Sequence, residues 1–474
     1  MRSTVCLLSV LGVLVVGLLS APVSAQAVSA GRPVAWGCTG FGNWGQCSVP
    51  NGLNGVTAVA AGLDHTLALK GDGTVVAWGC LGSANYGQCT APTSLAGATA
   101  IAANGTHSLA LNGDGSVVGW GCGSFTDHGQ CTVPSGLSGV TRIAAGDFHS
   151  LAVKADGTVV VWGCSGSSNF GQCTVPSGLS GVTAVAGSYA QSLALKSDGT
   201  VVAWGCVGRD YGQCDVPSGL SGVTAISAGY YDSLALKSDG TVVAWGCYEG
   251  DYGQCDVPNG LSGVTAISAA GTAHSLALKV DGAVVAWGCG LGFDYGQCSP
   301  PAGLSRVIAI AASDFHSVGL VELMNQTITF SPLPNRTFGD PVFSVSATAS
   351  SGLPVAFTGS GKCTVVGTAV HLTGPGSCTI TASQPGDANF NSAPDVARTF
   401  AIARAPCRVP SLVGRRLAAA KRELARRHCR TGRVRHAYSR WGRRGVVISQ
   451  SRRPGKRLRA GSKIDLVVSR GRRR

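Results

Sequence analysis

The chain has 474 residues, a formal net charge of +14 and 19 cysteines. So many cysteines argue against a reducing cytosolic home. The charge is not one uniform basic field either: residues 31–324 hold 9 Lys/Arg against 18 Asp/Glu, and residues 406–474 hold 23 against 2. Halves so opposed point to separate modules with different partners.

The first predicted element is a secretory signal peptide over residues 1–25, with cleavage as late as residue 30. Arg2 precedes an apolar run over 5–19, and Val23-Ser24-Ala25 supplies a small-residue cleavage site. The run is too short to span a bilayer comfortably, and no later stretch reaches spanning length. Export is expected, with no transmembrane segment after cleavage.

From 31 to 324 one phrase returns seven times: Trp-Gly-Cys, a short variable stretch, then Gly-Gln-Cys. The tryptophans are Trp36, Trp78, Trp120, Trp162, Trp204, Trp245 and Trp287, a step of 42 residues five times and 41 once. A fixed period of this length marks a repeat architecture. In the unit that starts at Gly222, the runs 222–227, 234–237 and 241–246 read as strands. Asp239-Gly240 joins the last two, and Asp-Gly is a hairpin signal in which both central residues take φ > 0. The same turn recurs at Asp72, Asp114, Asp156, Asp198 and Asp281, and 252–257 reads as a fourth strand. Four antiparallel strands per period describe a propeller blade. The array opens mid-unit at Pro33 and closes mid-unit at Leu320, so the two half-units are expected to pair as one composite blade and close a seven-bladed ring.

Cys6 falls in the signal segment, which leaves an even 18. They are expected as neighbouring disulfides: Cys38 with Cys47, Cys80 with Cys89, Cys122 with Cys131, Cys164 with Cys173, Cys206 with Cys214, Cys247 with Cys255, Cys289 with Cys298, Cys363 with Cys378 and Cys407 with Cys429. Zinc is disfavoured, because no C-x-x-C knuckle occurs and no histidine falls at ligand spacing. The tryptophans read as wedges between blades. His65, His107, His149, His274 and His316 recur at one position, replaced by Gln191 and Asp232 in two repeats. Lying one per blade, they read as structural hydrogen-bonders. No phosphate loop, nucleophile elbow or paired acid motif stands apart from the repeat. No enzyme activity, cofactor or metal is expected.

The repeats disagree mainly on one face, in the loop before each Ser-Leu-Ala-Leu and between the paired cysteines. The candidate interface there comprises Trp44, Asp64, Tyr86, Asp147, Phe148, Phe170, Tyr189, Tyr211, Tyr230, Tyr231, Glu249, Asp251, Tyr252, Asp294, Tyr295, Asp314 and Phe315. Aromatics on a polar rim are what protein interfaces use as anchors. Counted with Asp127, Asp210 and Asp232 against Arg209 alone, the rim carries a net charge of about −8, which favours a basic partner.

The motif AAG-x-x-H-S-L-A-L-K-x-D-G-x-V-V-A-W-G resembles the repeat of the regulator of chromosome condensation family, which implies a seven-bladed propeller. With its VPSGLSGVTAIAAG linkers, the short version here is closer still to the secreted bacterial propeller that inhibits β-lactamases. Residues 325–403 alternate β-rich runs with Gly/Pro/Asn turns, arguing a β-sandwich. SATASSGLPVAFT, GSCTITASQPGDANF and RTFAIA resemble bacterial immunoglobulin-like domains, which implies a spacer, with Cys363 and Cys378 stapling neighbouring strands. Residues 406–474 resemble the PASTA domain through 409–414, 418–424, 445–451, Pro454-Gly455 and 461–469. Leu417, Ala420 and Leu424 there share one helix face. Some members of that family bind peptidoglycan fragments. This copy departs from the typical one in its arginines: Arg415, Arg416, Arg422, Arg426, Arg427, Arg443, Arg444, Arg452, Arg453 and Arg457 are the candidate wall- or anion-binding residues. Specific nucleic-acid recognition is not expected.

The expected protein is mainly β: a propeller over 31–324, an immunoglobulin-like sandwich over 325–403 and a small α+β PASTA domain over 406–474. Its expected function is that of a secreted, non-enzymatic, wall-associated binding protein. It would meet an unknown protein on the acidic rim, and peptidoglycan or an anionic wall polymer at its C-terminal domain. The alternatives are a soluble inhibitor of a secreted enzyme and a glycan-binding, lectin-like propeller.

Overall fold

The computed structural model describes residues 30–472 apart from 96, 124, 125, 249, 272, 291, 388 and 442. The expected signal segment and Glu249 therefore lie outside the described residues. The chain divides into two units, Met1–Leu323 and Met324–Arg474.

The first unit is a ring of seven blades. Each blade is a three-stranded antiparallel sheet, such as Val223–Ala228, Asp232–Lys237 and Val242–Gly246. The first strand of each blade lines a narrow central cavity of about 240 Å3, walled by Ala60, Ala103, Ala144, Ala186, Ser227, Ser268 and Ala311. The third strand carries the tryptophan. Blade 1 is composite: Gly31–Gly37 pairs antiparallel with His316–Glu322, from Gly31 opposite Glu322 to Gly37 opposite His316. Pairing the two ends of the array leaves no open edge there and locks the ring.

Large and small side chains alternate across the blade interfaces. The two leucines of each Ser-Leu-Ala-Leu strand face the next blade, which presents its alanine and tryptophan. Leu193 and Leu195 thus meet Ala235 and Trp245, and Leu151 and Val153 meet Ala194 and Trp204. Each fully buried leucine contributes about 2 kcal/mol by area removed from water.

The expected fourth strand is absent. Residues 252–257 form turns, because the Gln254 side chain folds back on its own loop. Its Nε2 donates to the Gly250 carbonyl (2.7 Å), and its Oε1 accepts the Tyr252 N–H (2.7 Å). The alternation of the segment resembles β, but a glutamine bonded to its own turn cannot extend. The freed Gln254 carbonyl accepts Trp287 Nε1–H (2.9 Å) and Ser275 Oγ–H (3.4 Å) from the following blade. Gln46, Gln88, Gln130, Gln172, Gln213 and Gln297 receive the same pair of donors, Trp36 closing the ring onto Gln297. Gly-Gln-Cys is thus the joint between blades.

The Asp-Gly hairpins form, with a different turn from the expected one. Only the glycine takes φ > 0, as in Gly73 at 81°. Gly73 N–H donates to the Lys70 carbonyl (2.9 Å), Lys70 N–H donates to Thr74 (2.8 Å), and Asp72 Oδ1 accepts the Thr74 N–H (3.0 Å). This is a type I turn with a glycine bulge. The Gly of Trp-Gly-Cys has a stricter reason. Gly79 sits at φ 102° and an added Cβ would lie 2.5 Å from the Asp64 carbonyl oxygen, while Cys80 follows at φ 58°. Two successive left-handed residues turn the chain sharply off the outer strand and into the loop its disulfide closes. The seven loop bridges have Cα–Cα distances from 6.0 to 6.4 Å.

In the second unit, residues 325–403 form two main sheets and a short antiparallel pair, Ile328–Thr329 with Thr348–Ala349. One orders Arg336–Thr337, Val396–Ala403, Gly376–Ser383 and Ala356–Gly361, with the first pair parallel. The other orders Phe343–Ser344, Ala369–Leu372 and Cys363–Val366. Phe330, Val370, Ile380 and Phe400 fill the space between them. Cys363 and Cys378 are bonded, but they join one sheet to the other instead of neighbouring strands of one sheet. After them, Arg430–Ala437, Lys463–Ser469 and Val447–Gln450 make a three-stranded sheet. The helix Leu417–Arg426 buries Ala420 and Leu424 against Ile464, Leu466 and Val468, with Leu417 packed at the edge. The Cys407–Cys429 bridge ties the first short strand to the end of that helix. Among the described residues no helix is long and apolar enough to cross a membrane.

Candidate functional site

The recurring histidines build a belt through the ring. Nε2 of His65, His107, His149, His274 and His316 each lies 2.9–3.0 Å from the hydroxyl of Ser108, Ser150, Ser192, Ser317 and Thr66 in the next blade. Each hydroxyl spends its proton on a Gln carbonyl, so it accepts from Nε2–H, and the buried Nδ1 atoms keep a lone pair without a partner. Burial holds these imidazoles neutral, pushed down to about 4 for His107 and about 3 for the others. Gln191 takes the place of the imidazole with its Oε1 3.0 Å from Ser233 Oγ, whose one proton it shares with the Gln213 carbonyl, while its Nε2 donates to the Gly229 and Asp232 carbonyls.

Asp232 breaks the belt. Its side chain is 1% exposed, its Oδ2 has no partner, and burial raises its carboxyl well above the usual range. It therefore belongs to the blade interface and not to the acidic rim. A Cβ added at Gly62 or Gly146 would lie 2.1 or 2.3 Å from the ring of His65 or His149, and Gly229 holds the same place beside Asp232. Room for a ring is thus present. The Asp232→His variant is expected to complete the belt onto Ser275 and raise stability by about 1–2 kcal/mol, read as a higher denaturation midpoint; a lower midpoint would show that the belt is not what sets this position.

The rim separates into structural and exposed parts. Asp127, Asp210, Asp251 and Asp294 each accept the backbone N–H two residues on at 2.8–2.9 Å, as Asn43, Asn85 and Asn169 do in the other repeats. These carboxylates build the loop turn, and their charge is what varies. Asp64 is only 6% exposed, contrary to its expected place on the surface. Burial first, and the Asp314 carboxylate second, push Asp64 up to about 6 and Asp147 to about 7. The rim is therefore less negative at neutral pH than a count of acids implies.

The aromatics converge on one sector. Counting the composite blade as the first, blades 4 to 6 carry a continuous ladder. Phe148 meets Tyr189 (5.3 Å), Tyr189 meets Phe170 (5.2 Å) and stacks on Tyr230 (4.1 Å), Tyr230 meets Tyr231 (4.5 Å), and Tyr231 meets Tyr211 (4.9 Å). His128 extends it at 4.7 Å from Phe148, and the Arg209 guanidinium sits 5.9 Å from the Phe170 ring centre. Tyr252 pairs apart with Phe293 and Tyr295 with Phe315. Trp44 and Tyr86 belong to the loops after blades 1 and 2, where they lie against Gly82 and Gly123. Sequence reasoning missed Val207 and Tyr248, which are 70% and 75% exposed beside the ladder. Their signal was an apolar residue following the first cysteine, where other repeats have Thr39, Ser165 or Gly290. The loops are tied in series: Val207 N–H donates to the Phe170 carbonyl, Tyr248 N–H to Tyr211 and Thr39 N–H to Tyr295.

All ten candidate arginines of the C-terminal module are exposed. Arg415 and Arg416 lie beside the 443–444 turn through the Arg416–Val446 bridge. Arg426 and Arg427 share Glu423 at 3.6 and 3.2 Å. Arg452 and Arg453 precede Arg457, which pairs with Arg408 at the far edge. None of the ten lines the groove on the C-terminal sheet, whose cations are Arg433, Arg435 and Lys463.

Fold and surface together define a disulfide-stapled repeat propeller followed by a β-sandwich and a small basic α+β module. The chain carries regulator of chromosome condensation (RCC1) repeats, matched at residues 56–88, 98–130, 140–172 and 223–254, and a PASTA domain, matched at 408–470. No curated protein matches the chain. Similar solved structures include Prp20p of Saccharomyces cerevisiae, described with its binding to Gsp1p and histones: 20% identity over 63% of this chain and 93% of that one, TM-score 0.49. Human WBSCR16 has 18% identity over 62% and 99%, TM-score 0.45. The ectodomain of the Physcomitrella patens receptor kinase CR4 has 22% identity over 51% and 64%, TM-score 0.41.

Proposed function

We propose that the chain is an exported, non-enzymatic binding protein of the cell surface, with the propeller as a protein-recognition scaffold and the PASTA domain as its hold on the wall. The aromatic ladder of blades 4 to 6 carries this reading. Six rings and two exposed apolar side chains make a compact anchor patch on loops that disulfides and serial hydrogen bonds hold in place, which lowers the ordering cost of an interface. Asp127, Asp210 and Asp251 flank it and are exposed, so the partner brings basic side chains to its edge. Nine disulfides support an oxidising, extracytoplasmic location. The C-terminal excess of 23 basic residues over 2 acids supports retention by peptidoglycan or an anionic wall polymer.

The test compares capture from a cell-envelope extract by the wild-type chain and by the triple variant Phe170→Ala, Tyr189→Ala, Tyr230→Ala. Anchor truncations cost about 2 kcal/mol each, so the captured protein should be lost at least thirty-fold, on the order of a single anchor's share. The denaturation midpoint serves as the folding control. Equal capture by the variant would place recognition elsewhere.

A further inference from the structure

The C-terminal sheet has two faces. Ile464, Leu466 and Val468 turn inward, while Lys463 and Asp465 turn outward beside Arg433 and Arg435 of the neighbouring parallel strand. This open face holds a groove of about 640 Å3, with Ser449 and Ser451 on its far side. The groove is built, not incidental. The pairing of Arg430–Ala437 with Lys463–Ser469 slips between Thr431 and Val434, and Asp465 Oδ1 accepts the Arg433 N–H (2.7 Å) inside that bulge. A Cβ at Gly432 would lie 2.0 Å from the same carboxylate oxygen, so only glycine lets the brace close. Bulges of this kind re-aim side chains. Ser451 Oγ fastens the other side by accepting the Asp465 N–H (2.9 Å).

The lining is rich in donors and poor in acceptors. Among the described residues no ion pair engages Arg433, Arg435 or Lys463. Asp465, the groove's one carboxylate, already receives a backbone N–H. The Gln450 amide is likewise committed to Pro410, Arg452 and Leu412. A peptide would bring N–H groups that need acceptors. A phosphodiester chain brings oxygen acceptors and negative charge, which guanidinium forks, an ammonium and hydroxyls satisfy together. We propose that this groove is a binding site for phosphodiester-linked polymers, held through their phosphate oxygens. The proposal deepens the wall-binding reading of the C-terminal domain and rests on it.

The experiment titrates the full chain into fluorescein-labelled poly(glycerol phosphate) and, separately, into poly-glutamate of matched charge, both at 0.3 M salt to suppress long-range attraction. Two variants lose the same charge: Arg433→Gln, Arg435→Gln, Lys463→Gln in the groove, and Lys421→Gln, Arg440→Gln, Lys456→Gln at exposed positions outside it. The expected result is at least roughly ten-fold weaker phosphate binding for the groove variant, a change below about three-fold for the other, and weaker binding of poly-glutamate than of the phosphate polymer by wild type. Equal losses in the two variants, or poly-glutamate bound as tightly, overturn the proposal. If the groove variant does not fold, the charge-keeping pair Arg433→Lys, Arg435→Lys replaces it, with a loss of about three-fold or more expected and no loss overturning the proposal. Retention of the groove variant by purified walls, alongside unchanged phosphate binding, removes the groove while leaving the wall-binding reading intact.

Discussion

The Trp204→Ala variant is expected to lose about 3–5 kcal/mol of stability, the cost of emptying a large aromatic site that cannot collapse. Trp204 is 7% exposed, wedged between Leu151, Val153 and Ala194, and its Nε1–H donates to the Gln172 carbonyl at 2.8 Å. Truncation removes the wedge and leaves that carbonyl with Ser192 as its remaining partner (3.0 Å). The Trp204→Phe variant separates the two effects. It keeps most of the apolar area, loses the N–H, and should cost about 1–2 kcal/mol. Chemical denaturation read by tryptophan fluorescence and far-UV dichroism provides both values. Equal losses for the two variants would mean that the hydrogen bond to Gly-Gln-Cys, and not packing, dominates the joint.

Acid is expected to weaken the propeller strongly, with the denaturation midpoint falling as pH drops from 7 toward 4. The five belt histidines ionise near 6.5 when unfolded and near 3 to 4 when folded. Below 6.5 the unfolded chain binds protons that the folded chain refuses, so stability present above 6.5 is lost progressively down to those folded values. At pH 5 each histidine costs roughly 2 kcal/mol, an upper bound for groups this deeply buried. Asp64, Asp147 and Asp232 act in the opposite sense. Their carboxyls are raised in the fold, to about 6 for Asp64, about 7 for Asp147 and well above the usual carboxylate range for Asp232, so the folded chain takes up protons first and they return stability as pH falls through those folded values. The histidines outnumber them, so the net slope follows the histidines. The Asp147→Asn variant removes one compensating group and should steepen the loss. A midpoint flat between pH 7 and 4 would contradict the buried, neutral belt.

The blade count, the ring closure and the wedge role of tryptophan were all legible, because they follow from period and from where the array begins and ends. The fourth strand was misread for a physical reason. Gln254 and its counterparts sit in segments whose polarity alternates, yet the side chain satisfies its own loop and leaves its carbonyl to the next blade. Sequence shows the residue but not which backbone its amide will find. Asp64 and Asp232 were placed on the rim by loop position, whereas both are buried, Asp232 as the first residue of its middle strand in the place of a belt histidine. The aromatic ladder was legible as a set of residues but not as one sector, since Tyr189 and Tyr230 come from successive blades and stack only once the ring closes. In the C-terminal domain the arginine excess hid the groove. Arg433-Val434-Arg435 and Lys463-Ile464-Asp465-Leu466 alternate with period two, which marks an exposed strand face; the abundance of arginine elsewhere masked that signal.

Cell fractionation tests the proposed function most directly, comparing the full chain with a chain ending at Ala403. The full chain is expected in the wall fraction in its oxidised form. The shortened chain is expected outside the cell but free in the medium, with its propeller disulfides intact. A full chain found reduced inside the cell, or a shortened chain still held by the wall, would contradict an exported scaffold that its PASTA domain anchors.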